Sequence, residues 1–171
     1  MGAVCVPGTP EIYAGYYRGA SGNPGGFRED AAALYADPGG YREGNIHLQG
    51  RWLVDAEAAR FVGPEPGYLR VAYRGSEVNA VLAPGETDAA IRVAVARTGL
   101  ATAPGLPPGV SEAGDCAGQV VVDAPRLYSV LRDSAAGDDG LKLLTLIPAR
   151  PGLGVYSFTF GACTPAGAVS G

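Results

Sequence analysis

The sequence predicts an all-β fold: an antiparallel β-sandwich, jelly-roll-like, of about eight to ten strands with at most one short helix. The first observation behind this is alternation. Apolar and polar residues exchange with a period of two through most of the chain, the signature of strands with one buried face. The second is punctuation. The 27 Gly and 14 Pro of the 171 residues gather in short runs between the alternating stretches. There Gly supplies positive φ, Pro fixes its own φ, and Asp and Asn bond their local backbone. The third is size. With 47% hydrophobic residues the chain is long enough for one domain with a proper core and short for two.

Taken in order, residues 11–18, EIYAGYYR, place Ile12, Ala14 and Tyr16 on one face of a first strand. Residues 28–37, REDAAALYAD, are the best helix candidate, with Asp30 as N-cap before the run 31–34. Residues 50–62 read as one strand, with Trp52, Val54, Ala56 and Ala58 inward and Arg51, Asp55 and Glu57 outward. Residues 68–74 set Leu69, Val71 and Tyr73 against Arg70, Ala72 and Arg74. Strands follow at 77–83, 91–98, 118–123, 141–147 and 155–161, while 125–133 fits a strand or a short helical turn. Turn runs separate them at 22–26, 37–40, 63–67, 83–86, 103–109, 136–140 and 150–154. The expected domain is 9–163, preceded by a linker or N-terminal extension, 1–8, and followed by a flexible tail, 164–171.

Composition excludes several functions. A net charge of −4 argues against a nucleic-acid partner or an anionic membrane surface. No apolar run approaches the ~18 residues of a membrane-spanning segment. Residues 1–4 carry neither the charged nor the apolar region of a signal peptide, so the chain is expected to be cytosolic, or else the mature or excised part of a longer exported protein. The three cysteines, Cys5, Cys116 and Cys163, form no C-x-x-C pair, and with His47 as the single histidine no zinc site or cofactor is expected. No serine sits in a G-x-S-x-G elbow, and no spacing selects an acid/base pair from Glu11, Asp55, Glu57, Glu77 and Asp123. His47, in NIHLQG, reads as a partly exposed histidine at a strand edge.

Five stretches occur in one order: TPEIYAGYYRG (9–19), LQGRW (48–52), YLRVAYRGSEVNAVLAP (68–84), VDAPRLYSVLRD (122–133) and GVYSFTFG (154–161). Together they resemble the C-terminal domain of DipZ-type thioredoxin/cytochrome c biogenesis proteins, over roughly residues 8–161. In that bacterial family a membrane part and a thioredoxin-like domain precede a β-sandwich resembling a carbohydrate-binding module. The resemblance implies a jelly-roll-like, periplasmic or extracellular domain, part of or derived from a membrane-anchored or exported protein, with a thioredoxin-like domain or protein as its partner. The family's C-x-x-C is absent here, so no redox activity carries over, and the family pattern assigns no catalytic residue to this domain.

Arg70, Arg74 and Arg92 fall opposite the apolar sets, and Arg18 ends the first strand. If these strands share a sheet they make an Arg-lined polar face; the plainer reading is surface charge, or ion pairs with Glu11 or Glu77. The candidate ligand-binding residues are therefore Glu11, Tyr13, Arg18, Arg70, Arg74 and Arg92, with Arg126 and Tyr128 on a rim. Sugar-binding sandwiches set aromatic rings beside Arg and carboxylates because a pyranose has one apolar face and a polar edge. Trp52, in phase with Val54 and Ala56, and Phe158 and Phe160, in phase with Tyr156, read as core instead.

In a jelly roll the first and last strands often lie side by side, which brings Cys5 near Cys163. A Cys5–Cys163 disulfide, leaving Cys116 as a free thiol, is the expected pairing; Cys116–Cys163 and no bridge are the alternatives. The functional expectation is a non-catalytic, extracytoplasmic accessory module of a thioredoxin-like system that binds carbohydrate or peptide or docks its partner. Two other classes stand beside it: a polysaccharide lyase or hydrolase, and a purely structural interaction domain.

Overall fold

The computed structural model describes residues 4–5, 8–87, 89–99, 116–132, 140–161 and 163–164. Among them are thirteen strands and no helix. In chain order these are β1 (Val4–Cys5), β2 (Ile12–Tyr13), β3 (Ala32–Tyr35), β4 (Ile46–Val54), β5 (Ala59–Phe61), β6 (Tyr68–Tyr73), β7 (Glu77–Ala83), β8 (Ile91–Gly99), β9 (Cys116–Val122), β10 (Arg126–Arg132), β11 (Lys142–Pro148), β12 (Gly154–Gly161) and β13 (Cys163–Thr164). The strand at 125–133 is thus settled as β10. The turn at 103–109, most of that at 136–140 and nearly all of the tail lie outside the described residues, as does most of the N-terminal extension.

Strand β1 pairs with β13, and the other eleven strands form one antiparallel sheet. Its order is β10-β7-β12-β5-β4-β6-β11-β8-β9, with β2 added on β12 and β3 on β4. The sheet bends back on itself into a sandwich- and barrel-like all-β fold, and β4 makes the bend. Its first half, Ile46 to Gln49, pairs with β6. Its second half pairs with β3 and β5. Between them Gly50 takes φ +94°. A Cβ there would lie 2.8 Å from Gly67 Cα and 2.9 Å from the Pro66 carbonyl oxygen, so the corner requires glycine.

Inward residues of both halves meet in a single core. Leu48, Trp52, Leu69, Val71, Tyr73, Leu82, Leu144, Leu146, Val155 and Phe158 are all buried there. Each large side chain contributes roughly 1.5–3 kcal/mol by leaving water, before the entropy of ordering is subtracted. Trp52 is fully buried and donates its indole N–H to the Gln49 carbonyl at 2.9 Å, as its in-phase neighbours predict.

Three local expectations change. Residues 32–35 of the helix candidate are strand β3, with Ala33 and Tyr35 buried and Ala32 and Leu34 outward. Pairing with β4 overrides the helical propensity of the alanines, and Asp30, instead of capping, takes φ +57°. The first strand is short: after Tyr13 the chain turns, and Gly19 N–H bonds the Gly15 carbonyl at 2.8 Å. The stretch 50–62 is a hairpin, not one strand. Asp55 Oδ1 accepts the N–H groups of Glu57 and Ala58, both at 2.8 Å, and folds β4 back into β5.

Candidate functional site

A groove of about 380 Å³ opens where β2 meets the segment before β4. Thr9, Glu11, Tyr13, Arg18, Glu43 and Gly44 line it together with the apolar Pro10, Ile12 and Ala20. Glu11 and Tyr13, two residues apart on one extended segment, face the same way, and the Tyr13 hydroxyl donates to Glu11 Oε2 at 3.0 Å. The turn at 15–19 brings Arg18 back over them, its guanidinium carbon 4.8 Å from the centre of the Tyr13 ring. Gly19 permits this: a Cβ there would sit 2.5 Å from the carbonyl oxygens of both Gly15 and Tyr13.

The opposite wall is held from behind. The Thr9 hydroxyl donates to Glu43 Oε1 at 2.7 Å and accepts the Arg74 N–H at 2.7 Å. Arg74 Nε lies 3.5 Å from Glu43 Oε2. So Glu11, Tyr13 and Arg18 line one groove, and Arg74 supports its far side through Glu43. Thr9 and Glu43 were not singled out from sequence; Glu43 stands 32 positions from Glu11, and no local pattern links them.

The remaining sequence candidates lie elsewhere. Arg70 is 1% exposed, contrary to a place on a polar surface. It belongs to a buried cluster beneath the loop between β3 and β4. Strand register lines up His47, Arg70 and Thr145 across β4, β6 and β11. Arg70 Nε donates to Thr145 Oγ1 at 3.0 Å. Asp37 descends on this row from the loop. Its Oδ2 accepts from the Tyr41 hydroxyl at 2.5 Å and the Tyr68 hydroxyl at 2.8 Å, and Arg70 Nη1 lies at 3.4 Å. Its Oδ1 accepts the Gly39 N–H at 3.0 Å and stands 3.4 Å from His47 Nδ1.

His47 is 1% exposed, a correction to the strand-edge expectation. The loop 36–45 covers what alternation marks as the outer face of β4. The imidazole packs edge-on to Tyr41, and a Cβ on Gly22 would fall 2.1 Å from Nε2.

Burial alone would raise the Asp37 pKa, but the contacts from His47, Tyr41, the Gly39 N–H and Tyr68 outweigh it and hold the carboxyl well below the usual range. Burial, then the bond to Asp37, pushes the Tyr68 hydroxyl far up. Tyr41 rises for the same two reasons, with Arg70 opposing. The cluster is sealed, with the Asp37 and Arg70 side chains 0% and 1% exposed, so it acts as a scaffold. It pins the loop whose next residues, Glu43 and Gly44, form a wall of the groove.

Arg92 lines a second groove, of about 340 Å³, with Phe61, Glu65, Gln119, Pro148 and Arg150. Arg126 and Tyr128 occupy the corner between β9 and β10. The Arg126 guanidinium carbon lies 4.0 Å from the centre of the Tyr128 ring, and Nη2 donates to Asp123 Oδ1 at 3.2 Å. The Tyr128 hydroxyl donates to the Ala124 carbonyl at 2.6 Å and accepts the Asp123 and Ala124 N–H groups. The proposed Arg-lined face is therefore divided among a groove wall, a buried cluster and a second groove. Among the described residues no cluster of His, Cys, Asp and Glu is placed to hold a metal ion, and no helix is long and apolar enough to cross a membrane.

Fold and groove together define an all-β module with a small polar groove beside the pairing of β2 with β12. The chain belongs to the thioredoxin-like C-terminal domain family, whose model matches residues 9–161. That membership makes it a thioredoxin-associated accessory module, consistent with a thioredoxin-like partner and with the DipZ-type resemblance. No curated protein matches the chain.

Proposed function

We propose that this domain is a non-catalytic, extracytoplasmic accessory module that binds a short saccharide in the groove of Glu11, Tyr13, Arg18 and Glu43. The observation that carries this reading is the groove itself. It combines apolar lining residues with Arg and hydroxyl donors and two carboxylates, in a volume suited to one or two sugar rings. A pyranose presents the matching surface, one apolar face ringed by hydroxyls that both donate and accept. The non-catalytic reading is supported by the engagement of both carboxylates: Glu11 accepts from Tyr13, and Glu43 is tied to Thr9 and Arg74. The DipZ-type resemblance supports the extracytoplasmic placement.

A second reading, docking of a thioredoxin-like partner or a peptide from it, is favoured by Tyr17. This ring is 77% exposed on the turn that carries Arg18. A glycan array followed by titration calorimetry separates the two. Saccharide binding that falls at least tenfold in Tyr13→Ala and Arg18→Ala supports the first. No response to any glycan, together with a thermal shift from a thioredoxin-like partner that Tyr17→Ala removes, replaces it with the second.

A further inference from the structure

Both ends of the domain arrive at one turn. The Thr9 N–H bonds the Arg74 carbonyl at 3.1 Å, and two residues on, the Ser76 N–H bonds the Gly161 carbonyl at 2.8 Å. Beyond these two anchor points the ends pair as β1 and β13, with Val4 opposite Thr164 and Cys5 opposite Cys163. Directly opposed residues of an antiparallel pair stand with Cα atoms about 4.5–5.5 Å apart. A disulfide spans roughly 4.4–6.8 Å between Cα atoms. The third cysteine belongs to a different sheet, where Cys116 of β9 stands opposite Arg97 of β8. The ladder thus selects one pairing among those the cysteine count leaves open. It also supplies a reason for the bond. Among the described residues the ladder has two a side, far fewer than an isolated two-stranded ribbon needs to persist in water.

We infer that Cys5 and Cys163 form a cross-strand disulfide that staples the two ends of the domain, made and broken by dithiol–disulfide exchange with a disulfide-bearing partner. In the forward direction one cysteine, as thiolate, attacks a sulfur of the partner's disulfide and expels the partner's other sulfur as a thiolate, giving a mixed disulfide. The second cysteine of this chain, also as thiolate, then attacks its mate in that mixed disulfide and expels the partner's remaining thiolate. The two cysteines lose two protons and two electrons; the partner's disulfide gains them and leaves as a dithiol. Because Thr9 is both an anchored residue four positions after Cys5 and part of the groove wall, the staple also restrains one side of the groove. Only this last consequence rests on the groove reading; the bond rests on the strand register.

The full chain is equilibrated in a buffer of reduced and oxidised glutathione, quenched in acid, alkylated and mapped by mass spectrometry. The expected result is a linked pair of peptides carrying Cys5 and Cys163, with Cys116 alkylated. Reduction should lower the melting temperature by roughly 5–15 °C. That difference should vanish in Cys5→Ser and in Cys163→Ser and persist in Cys116→Ser. Three alkylated thiols after oxidation, or Cys116 in the linked peptides, overturns the inference. Failure of saccharide binding in a correctly linked protein would remove the groove reading and leave the disulfide standing.

Discussion

The groove and the buried cluster are assembled from the same side-chain types, Tyr, Arg and carboxylate, yet they do opposite work. In the groove, Tyr13 touches both Glu11 and Arg18 at the surface, where water competes for every polar atom. In the cluster, Asp37 and Tyr41 of the covering loop meet Tyr68 and Arg70 beneath it, away from water. Exposed ion pairs are worth roughly 0–1 kcal/mol. Removing one partner of a buried pair destabilises by about 3–5 kcal/mol, because the other charge is left without compensation. Burial, not residue identity, leaves one constellation open to solvent and makes the other the anchor of a loop.

The contrast breaks most sharply at Asp37. Asp37→Ala should destabilise the domain by about 3–5 kcal/mol in urea unfolding. Replacing Asp37 with Asn and Arg70 with Met together should recover part of that loss, since no charge is then stranded. The same variants should weaken ligand binding at the groove, because the loop that carries Glu43 loses its anchor. An unchanged unfolding midpoint in Asp37→Ala would show that the cluster does not hold the loop.

Next in size is the corner of the sheet. Gly50→Ala places a methyl group against Gly67 and Pro66 at positive φ, and a loss of roughly 1–3 kcal/mol in thermal or chemical unfolding is expected. The acid limb of stability sharpens the comparison further. The Asp37 carboxyl is depressed in the folded state, so it contributes stability above its unfolded value near 3.8, lost as the pH falls through the lower folded value. Tyr68 is shifted the other way. Its contribution is complete below its ordinary value of 10.0 and is lost as the pH rises through the raised one. Stability measured against pH should therefore fall at both ends, and Asp37→Asn should flatten the acid end. The smallest effects belong to the groove. Tyr13→Ala and Arg18→Ala should move the melting temperature by no more than about 2 °C while reducing ligand binding, as expected for exposed side chains away from the core.

Much of the fold was legible because alternation reports burial directly. Trp52, Leu69, Val71, Tyr73 and Phe158 are core residues where period two puts them. Alternation misled where a loop covers the outward face. His47 and Arg70 stand opposite the apolar residues of their strands, as the pattern says, but the face they occupy lies beneath residues 36–45. Residues 28–37 misled because alanine and leucine favour a helix locally, and only the pairing of β3 with β4 outweighs that preference. Within the groove, Glu11, Tyr13 and Arg18 were readable from one short stretch. Thr9 and Glu43 were not, since contact over 34 residues leaves no local mark.

By itself the sequence determined the class of the protein: strands from alternation, turns from Gly, Pro and Asp, one core from the apolar fraction, and a family from the order of five motifs. These are local or additive properties, written into the chain wherever they act. Only the tertiary structure decided which of twelve arginines meets water and which is sealed beside Asp37, and which two cysteines stand opposite each other. Both depend on how distant segments are brought together, and the free energy of a polar group is set by that surrounding rather than by its neighbours in the chain.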